Sequence, residues 1–149
     1  MSKQWILTAN GSIARIWGRD AADEPLTSIE TINNPDGRLK GSELARDRPG
    51  HEASDKSSSA ARFEPRTDPH RKVQQRFARD VAKYLDEALI ANPFQELWLL
   101  ASNPFFGELK FMLSPAVAKH LTFTHDSDYT SLDGIALAQR LEALCQAQA

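Results

Sequence analysis

The chain is short of cysteine, and its single thiol, Cys145, excludes an internal disulfide. Cys145 falls in the apolar stripe of the last helical segment, where a small thiol is expected to be buried and inert rather than nucleophilic. Long apolar runs are lacking as well. The opening MSKQWILTANG holds too short a run for a signal peptide or a membrane span, so no membrane contact is expected and the cytoplasm is the expected location. The most consequential absence lies in the middle: between Leu44 and Phe63 there is no large apolar side chain, while Pro, Gly, Ser, Asp and Arg recur. Such a segment does not offset its ordering entropy by burial. Residues 34–68 are therefore expected to form a long flexible loop. Connections beyond about 12–15 residues are uncommon in compact domains and are usually functional or disordered. This loop is the first place to look for function, with a solvated linker as the alternative.

At 149 residues, with 41% hydrophobic and 26% charged residues, the chain suits a single domain, 1–149, with one core. The formal net charge of -2 conceals an asymmetry. Arg38 to Arg79 contains eleven Lys/Arg and six Asp/Glu, a balance of +5, so the remainder carries -7. That separation suits a polyanionic partner at the basic end, or else marks a solvated face.

Gln4 to Asn10 and Ser12 to Gly18 are apolar-rich segments meeting at Asn10-Gly11, the signature of a type I′ hairpin. Leu26 to Ile32 reads as a third strand, ended by Asn33-Asn34-Pro35-Asp36-Gly37. After the loop, Asp68-Pro69 opens a helix to Ala91 with Val73, Phe77, Val81, Leu85 and Leu89 on one face. Glu96 to Ala101 is a continuous apolar run, expected as a central strand buried on both faces. Gly107 to Leu113 suggests a short helix, and Pro115 starts another helical turn. Lys119 to His125 alternates as a fifth strand. Thr130, with Asp133 three residues on, resembles the start of a helix carrying Ile135, Leu137, Leu141 and Leu144.

The order β-β-β-α-β-α-β-α, with right-handed crossovers, resembles the ribonuclease H-like arrangement. That is an α/β fold with a mixed five-stranded sheet in order 3-2-1-4-5 and helices on both faces. Nucleases of that fold hold divalent metal on carboxylates of strand one, the first helix and the end of strand four. Here QWILTAN has no Asp or Glu and strand four ends Leu100-Ala101-Ser102, so no metal and no other cofactor is expected.

Four passages carry a family resemblance: Trp5 to Trp17, Asp47-Arg48-Pro49-Gly50, Asp68 to Leu85, and Leu97 to Lys110. Together they resemble the bacterial host attachment proteins, named as required for attachment to host cells. That family is in turn similar to the middle domain of archaeal and eukaryotic peptide-chain release factors. In those factors the loop before the first long helix carries a Gly-Gly-Gln that helps water attack peptidyl-tRNA. The passage Ser59-Ala60-Ala61-Arg62-Phe63 resembles the segment following that glutamine, which puts Gly-Gly-Gln at Lys56-Ser57-Ser58. No glutamine occurs between Gln4 and Gln74. The resemblance thus implies ribosome or transfer RNA binding through Arg46, Arg48, Lys56, Arg62 and Arg66, with peptidyl-tRNA hydrolysis inefficient at most. The family name implies instead a factor for attachment acting through a protein partner.

Catalytic candidates in the loop are few. Ser58 occupies the glutamine position, and His51 lies near Asp47 and Asp55, where it is either a general base or a solvated histidine. His120 and His125 are five apart on a strand and are expected on opposite faces, which disfavours one metal site. Asn103-Pro104-Phe105-Phe106-Gly107 follows the central strand, at the edge where α/β sheets bind ligands; equally, its two phenylalanines plug the core. Trp5, Trp17 and Trp98 are expected in the core.

Overall fold

The computed structural model describes residues 3–21, 23–35 and 69–148. The first strands are β1 (Gln4–Ala9), β2 (Ile13–Arg19) and β3 (Thr27–Asn33). Then come α1 (Pro69–Ala91), β4 (Glu96–Ala101), α2 (Phe105–Met112), α3 (Pro115–Ala118), β5 (Leu121–Asp126) and α4 (Gly134–Gln148). The strands form one sheet in the order β3-β2-β1-β4-β5. β1 is antiparallel to β2 and β2 to β3, whereas β4 runs parallel to both β1 and β5. This is the expected ribonuclease H-like order.

All six residues of β1 are buried, because the strand lies at the centre of the sheet with helices on both faces. β3 lies at an edge, and only Ile29 and Ile32 are partly covered. On one face Trp5, Leu7, Ile16, Leu97 and Leu99 meet α1, α2 and α3. The α1 contribution is the run Val73, Phe77, Val81, Leu85, spaced by four so that each side chain returns to the sheet side, and all four are buried. Each such side chain contributes roughly 1.5–3 kcal/mol by leaving water. Trp5 stacks on Phe94 with centroids 4.9 Å apart, and Phe105 meets Phe77 at 5.3 Å. The opposite face presents Ile6, Trp17, Trp98, Leu100 and Phe123 to a single helix, α4, through Leu137 and Leu141. Trp5 and Trp17 are core residues as expected, while Trp98 is only partly buried.

Several local expectations are corrected. The β1–β2 turn is not type I′, since neither Gly11 nor Asn10 nor Ser12 occupies the left-handed region. The Asn10 backbone N–H donates to Ile13 O at 2.9 Å, leaving Gly11 and Ser12 between them. The Asn10 side-chain oxygen accepts from the N–H groups of Ser12 and Ile13, at 2.7 and 3.0 Å. Asparagine here closes the turn with its own side chain and removes the need for positive φ.

α2 starts at Phe105, two residues early, because Phe106 N–H already bonds Ser102 O across the cis Asn103-Pro104 peptide. β5 starts at Leu121, since Lys119 and His120 still donate to Pro115 and Val117 of α3. The N-cap of α4 is Asp133, whose carboxylate accepts from Ala136 N–H at 2.8 Å, rather than Thr130. Ile135 is 75% exposed, because it lies two residues, roughly 200° of turn, from Leu137 and faces away from the sheet. Cys145, expected to be buried, is exposed: it stands on the side of α4 that borders an open cleft.

Candidate functional site

The carboxyl ends of the parallel strands gather polar residues from distant parts of the chain. Asn10, just past β1, is the centre. While its oxygen closes the hairpin turn, its amide nitrogen donates to Asp128 Oδ2 at 2.9 Å and to Thr130 Oγ1 at 3.2 Å. Arg15 reaches the same segment, donating from Nη1 to the Thr130 carbonyl at 2.7 Å. The turn is gripped from its other side by Asn34, whose backbone and side-chain N–H groups donate to Ser12 O and Gly11 O. Gln74 of α1 lies against Gly11, where a Cβ would stand 3.3 Å from its Cδ. A side chain at Gly11 would push Gln74 aside by a few tenths of an ångström, and Gln74 is buried with its Oε1 lacking a partner among the described residues.

Asp128 accepts from both the hydroxyl and the N–H of Thr130, at 2.6 and 3.0 Å. Desolvation, the largest single influence, pushes its carboxyl up; the hydrogen bonds from Thr130 and Asn10 together outweigh it and hold the carboxyl below its ordinary value. Next along the edge, Asp126 accepts from the Asn103 backbone N–H at 3.2 Å and from its side chain at 2.6 Å. Both carboxylates at this edge are thus occupied in fixing turns.

Beyond Asn103 a cleft of about 510 Å³ opens between the start of α1 and one side of α2. Arg71 and Glu108 pair across it at 3.2 Å, and Phe111 on its rim is 83% exposed. The Asn103-Pro104-Phe105-Phe106-Gly107 passage divides between core and surface. Phe105 is buried in the core, while Asn103, Pro104 and Gly107 line this cleft.

The loop residues Arg46, Arg48, Lys56, Arg62 and Arg66, and the candidates Ser58 and His51, lie outside the described residues. The flanks of that connection are described: Asn34 bonds the β1–β2 turn, and α1 begins at Pro69 and brings Gln74 to the same turn. His120 Nδ1 lies 3.1 Å from Gln95 O, to which it donates in the Nδ1–H tautomer, and the ring meets Phe94 edge-on. His125 stacks between Phe123 and Tyr129 on the α4 face. Among the described residues no three His, Cys, Asp or Glu side chains converge as metal ligands, and no helix is long and apolar enough to cross a membrane. The Asn10, Asp128 and Gln74 cluster was missed in the sequence. Its one local signal, Asn10-Gly11, reads there as a turn and nothing more.

No curated protein matches the chain. A family model does: the family described as "Protein required for attachment to host cells" matches residues 5–141, so the chain belongs to that family.

Proposed function

We propose that this protein supports attachment to host cells by binding a protein partner at the carboxyl edge of its sheet, around Phe111 and the Asn103-Pro104 turn. The observation that carries this reading is the pairing of polar groups beside an exposed aromatic ring. Asn103 is tied to Asp126 and Arg71 to Glu108, while Phe111 stands 83% exposed on the rim of the cleft. A partner's apolar side chain entering there buries Phe111 without stripping water from an unpaired charge, which is the low-cost form of association. The family description supplies the biological setting. The test is adhesion of bacteria to cultured host cells after deletion of the gene. Wild-type protein is expected to restore adhesion and Phe111→Asp to fail at equal expression. Full adhesion by the deletion strain overturns the role, and full rescue by Phe111→Asp overturns the surface.

A second reading is favoured by the charge separation, +5 between Arg38 and Arg79 against -7 elsewhere. In it Arg46, Arg48, Lys56, Arg62 and Arg66 contact the phosphates of ribosomal or transfer RNA, with binding but no efficient peptidyl-tRNA hydrolysis. Sedimentation with ribosomes at low and moderate salt separates the two readings. Phosphate contacts give salt-sensitive co-sedimentation, and protein that stays in the supernatant at both salts removes this one.

A further inference from the structure

On the face covered by α4 alone, an open cleft of about 890 Å³ runs between that helix and the β2–β3 connection. Trp17 and Trp98 lie on its floor, in register on either side of Ile6. One row nearer the amino end of β1, opposite Gln4, the floor continues as Arg19. Ala138, Glu142 and Cys145 form the helix wall, and Pro25 and Leu26 the other. Gly134 closes one end. A Cβ there would stand 3.3 Å from Trp17 Cζ3 and 3.4 Å from Leu26 O, so any side chain would have to push α4 or its neighbours aside by a few tenths of an ångström.

Arg19 is what makes the cleft more than a gap in the packing. It is only 7% exposed, its Nε donates to Gln4 Oε1 at 2.5 Å, and its guanidinium lies 5.9 Å from the centre of the Trp98 ring. Nη1 and Nη2 have no hydrogen-bond or ion-pair partner among the described residues. Burial pulls its pKa below the ordinary arginine value, and Cys145, Glu96 and Asp23 push it back up. A guanidinium keeps its charge in proteins, and the Nη groups of Arg19, which are not among the fully buried polar atoms that lack a partner, open to the cleft where an anion can meet them. The planar Nη edge matches a carboxylate in a two-pronged pair.

The rest of the lining narrows the ligand. Asp23, Glu24, Asp133 and Glu142 surround the opening, so a phosphate or other polyanion is repelled before it reaches Arg19. A single negative charge on an apolar body meets the smallest such repulsion on its way to Arg19. Its ring would pack on the uncovered part of Trp98 and the edge of Trp17, which is 6% exposed, and a cationic group at its outer end would meet the acidic rim. The geometry points to a binding site for a small aromatic monocarboxylate, with the carboxylate on Arg19 and the ring against Trp98 and Trp17. This site stands at the opposite end of the sheet from Asn10 and is independent of any partner bound around Phe111.

The test is an NMR titration of the ¹⁵N-labelled full chain with indole-3-acetate and with 3-phenylpropionate, each beside its uncharged amide. At least one acid is expected to shift the Arg19 Nε–H and the Trp98 indole signals while leaving the Asn10 carboxamide in place. Its amide is expected to bind at least 10-fold more weakly. Arg19→Gln should remove that 10-fold preference, and Ala138→Trp, which fills the cleft from the helix wall, should abolish binding of both. Should Arg19→Gln fail to fold, the acid-to-amide ratio and Ala138→Trp still decide. Equal affinity for acid and amide overturns the proposal, as does full affinity in Ala138→Trp. The absence of shifts at Arg19 and Trp98 with either acid at millimolar concentration overturns it too.

Discussion

The Asn10 amide nitrogen donates to the Asp128 carboxylate at 2.9 Å across 118 residues of chain, joining the β1–β2 turn to the segment after β5. Asn10 also closes its own turn, so one side chain serves four hydrogen bonds. Asn10→Ala removes all of them and is expected to cost roughly 1–3 kcal/mol, read from the urea midpoint. Asn10→Asp keeps the turn acceptors but sets two carboxylates against each other. Combining it with Asp128→Asn restores one donor and one acceptor, and the double variant should recover about 1 kcal/mol relative to additivity. Strict additivity would show that the two side chains are not energetically coupled.

Asp128 also sets a pH dependence. Its folded pKa lies below its ordinary value of 3.8, so its contribution to stability is present above that value and is lost as pH falls through the lower folded one. The side chain is exposed, and the effect should stay below about 1 kcal/mol. Thermal unfolding of wild type and Asp128→Asn, compared from about pH 6 to about pH 2.5, is expected to show a steeper acid loss in the wild type. Parallel curves would mean that Asp128 gains nothing from Thr130 and Asn10.

The parts of this fold that were legible in the sequence are those whose signal is local and repetitive. Glu96–Ala101 reads as a central strand because it is one unbroken apolar run, and α1 because Val73, Phe77, Val81 and Leu85 recur every four residues. Order β-β-β-α-β-α-β-α then leaves few topologies, and the sheet has the expected one. What was not legible depends on partners far away in the chain. Asn10-Gly11 looks like a type I′ turn until the Asn10 side chain is seen to close it and to hold Asp128 and Thr130. Ile135 and Cys145 look inward by composition. The first is turned away by helix phase, and the second faces an open cleft that one helix is too few to cover.

The contrast between Leu137 and Ile135 offers a direct measure of which side of α4 holds the sheet. Leu137 is fully buried against Ile6, Trp17 and Leu100, and Leu137→Ala is expected to cost 2–5 kcal/mol, on the order seen for buried leucines. Ile135→Ala, at 75% exposure, should stay within about 0.5 kcal/mol of wild type. Chemical denaturation of both variants checks this. Similar losses would mean that α4 packs with a different phase.

Gly134 gives the sharpest test of how closely α4 approaches the sheet. In an unconstrained helix, glycine to alanine is favourable by up to about 1 kcal/mol, since alanine gives up less backbone freedom. Here the added methyl would stand 3.3 Å from a ring carbon of Trp17 and 3.4 Å from the Leu26 carbonyl oxygen. Trp17 is 6% exposed and packed against Ile6 and Leu137, and the carbonyl belongs to the backbone, so neither neighbour yields without moving others. Overpacking of that kind costs typically 1–3 kcal/mol, which exceeds the propensity gain at a position in the first turn. Gly134→Ala is therefore expected to destabilise the protein by roughly 1 kcal/mol net, and to change Trp17 fluorescence as the ring shifts. The Asp133 cap, which acts through Ala136 N–H, is left in place by this change, so the loss is assignable to packing. A variant more stable than wild type, with unchanged fluorescence, would show that α4 sits farther from Trp17 than these distances state.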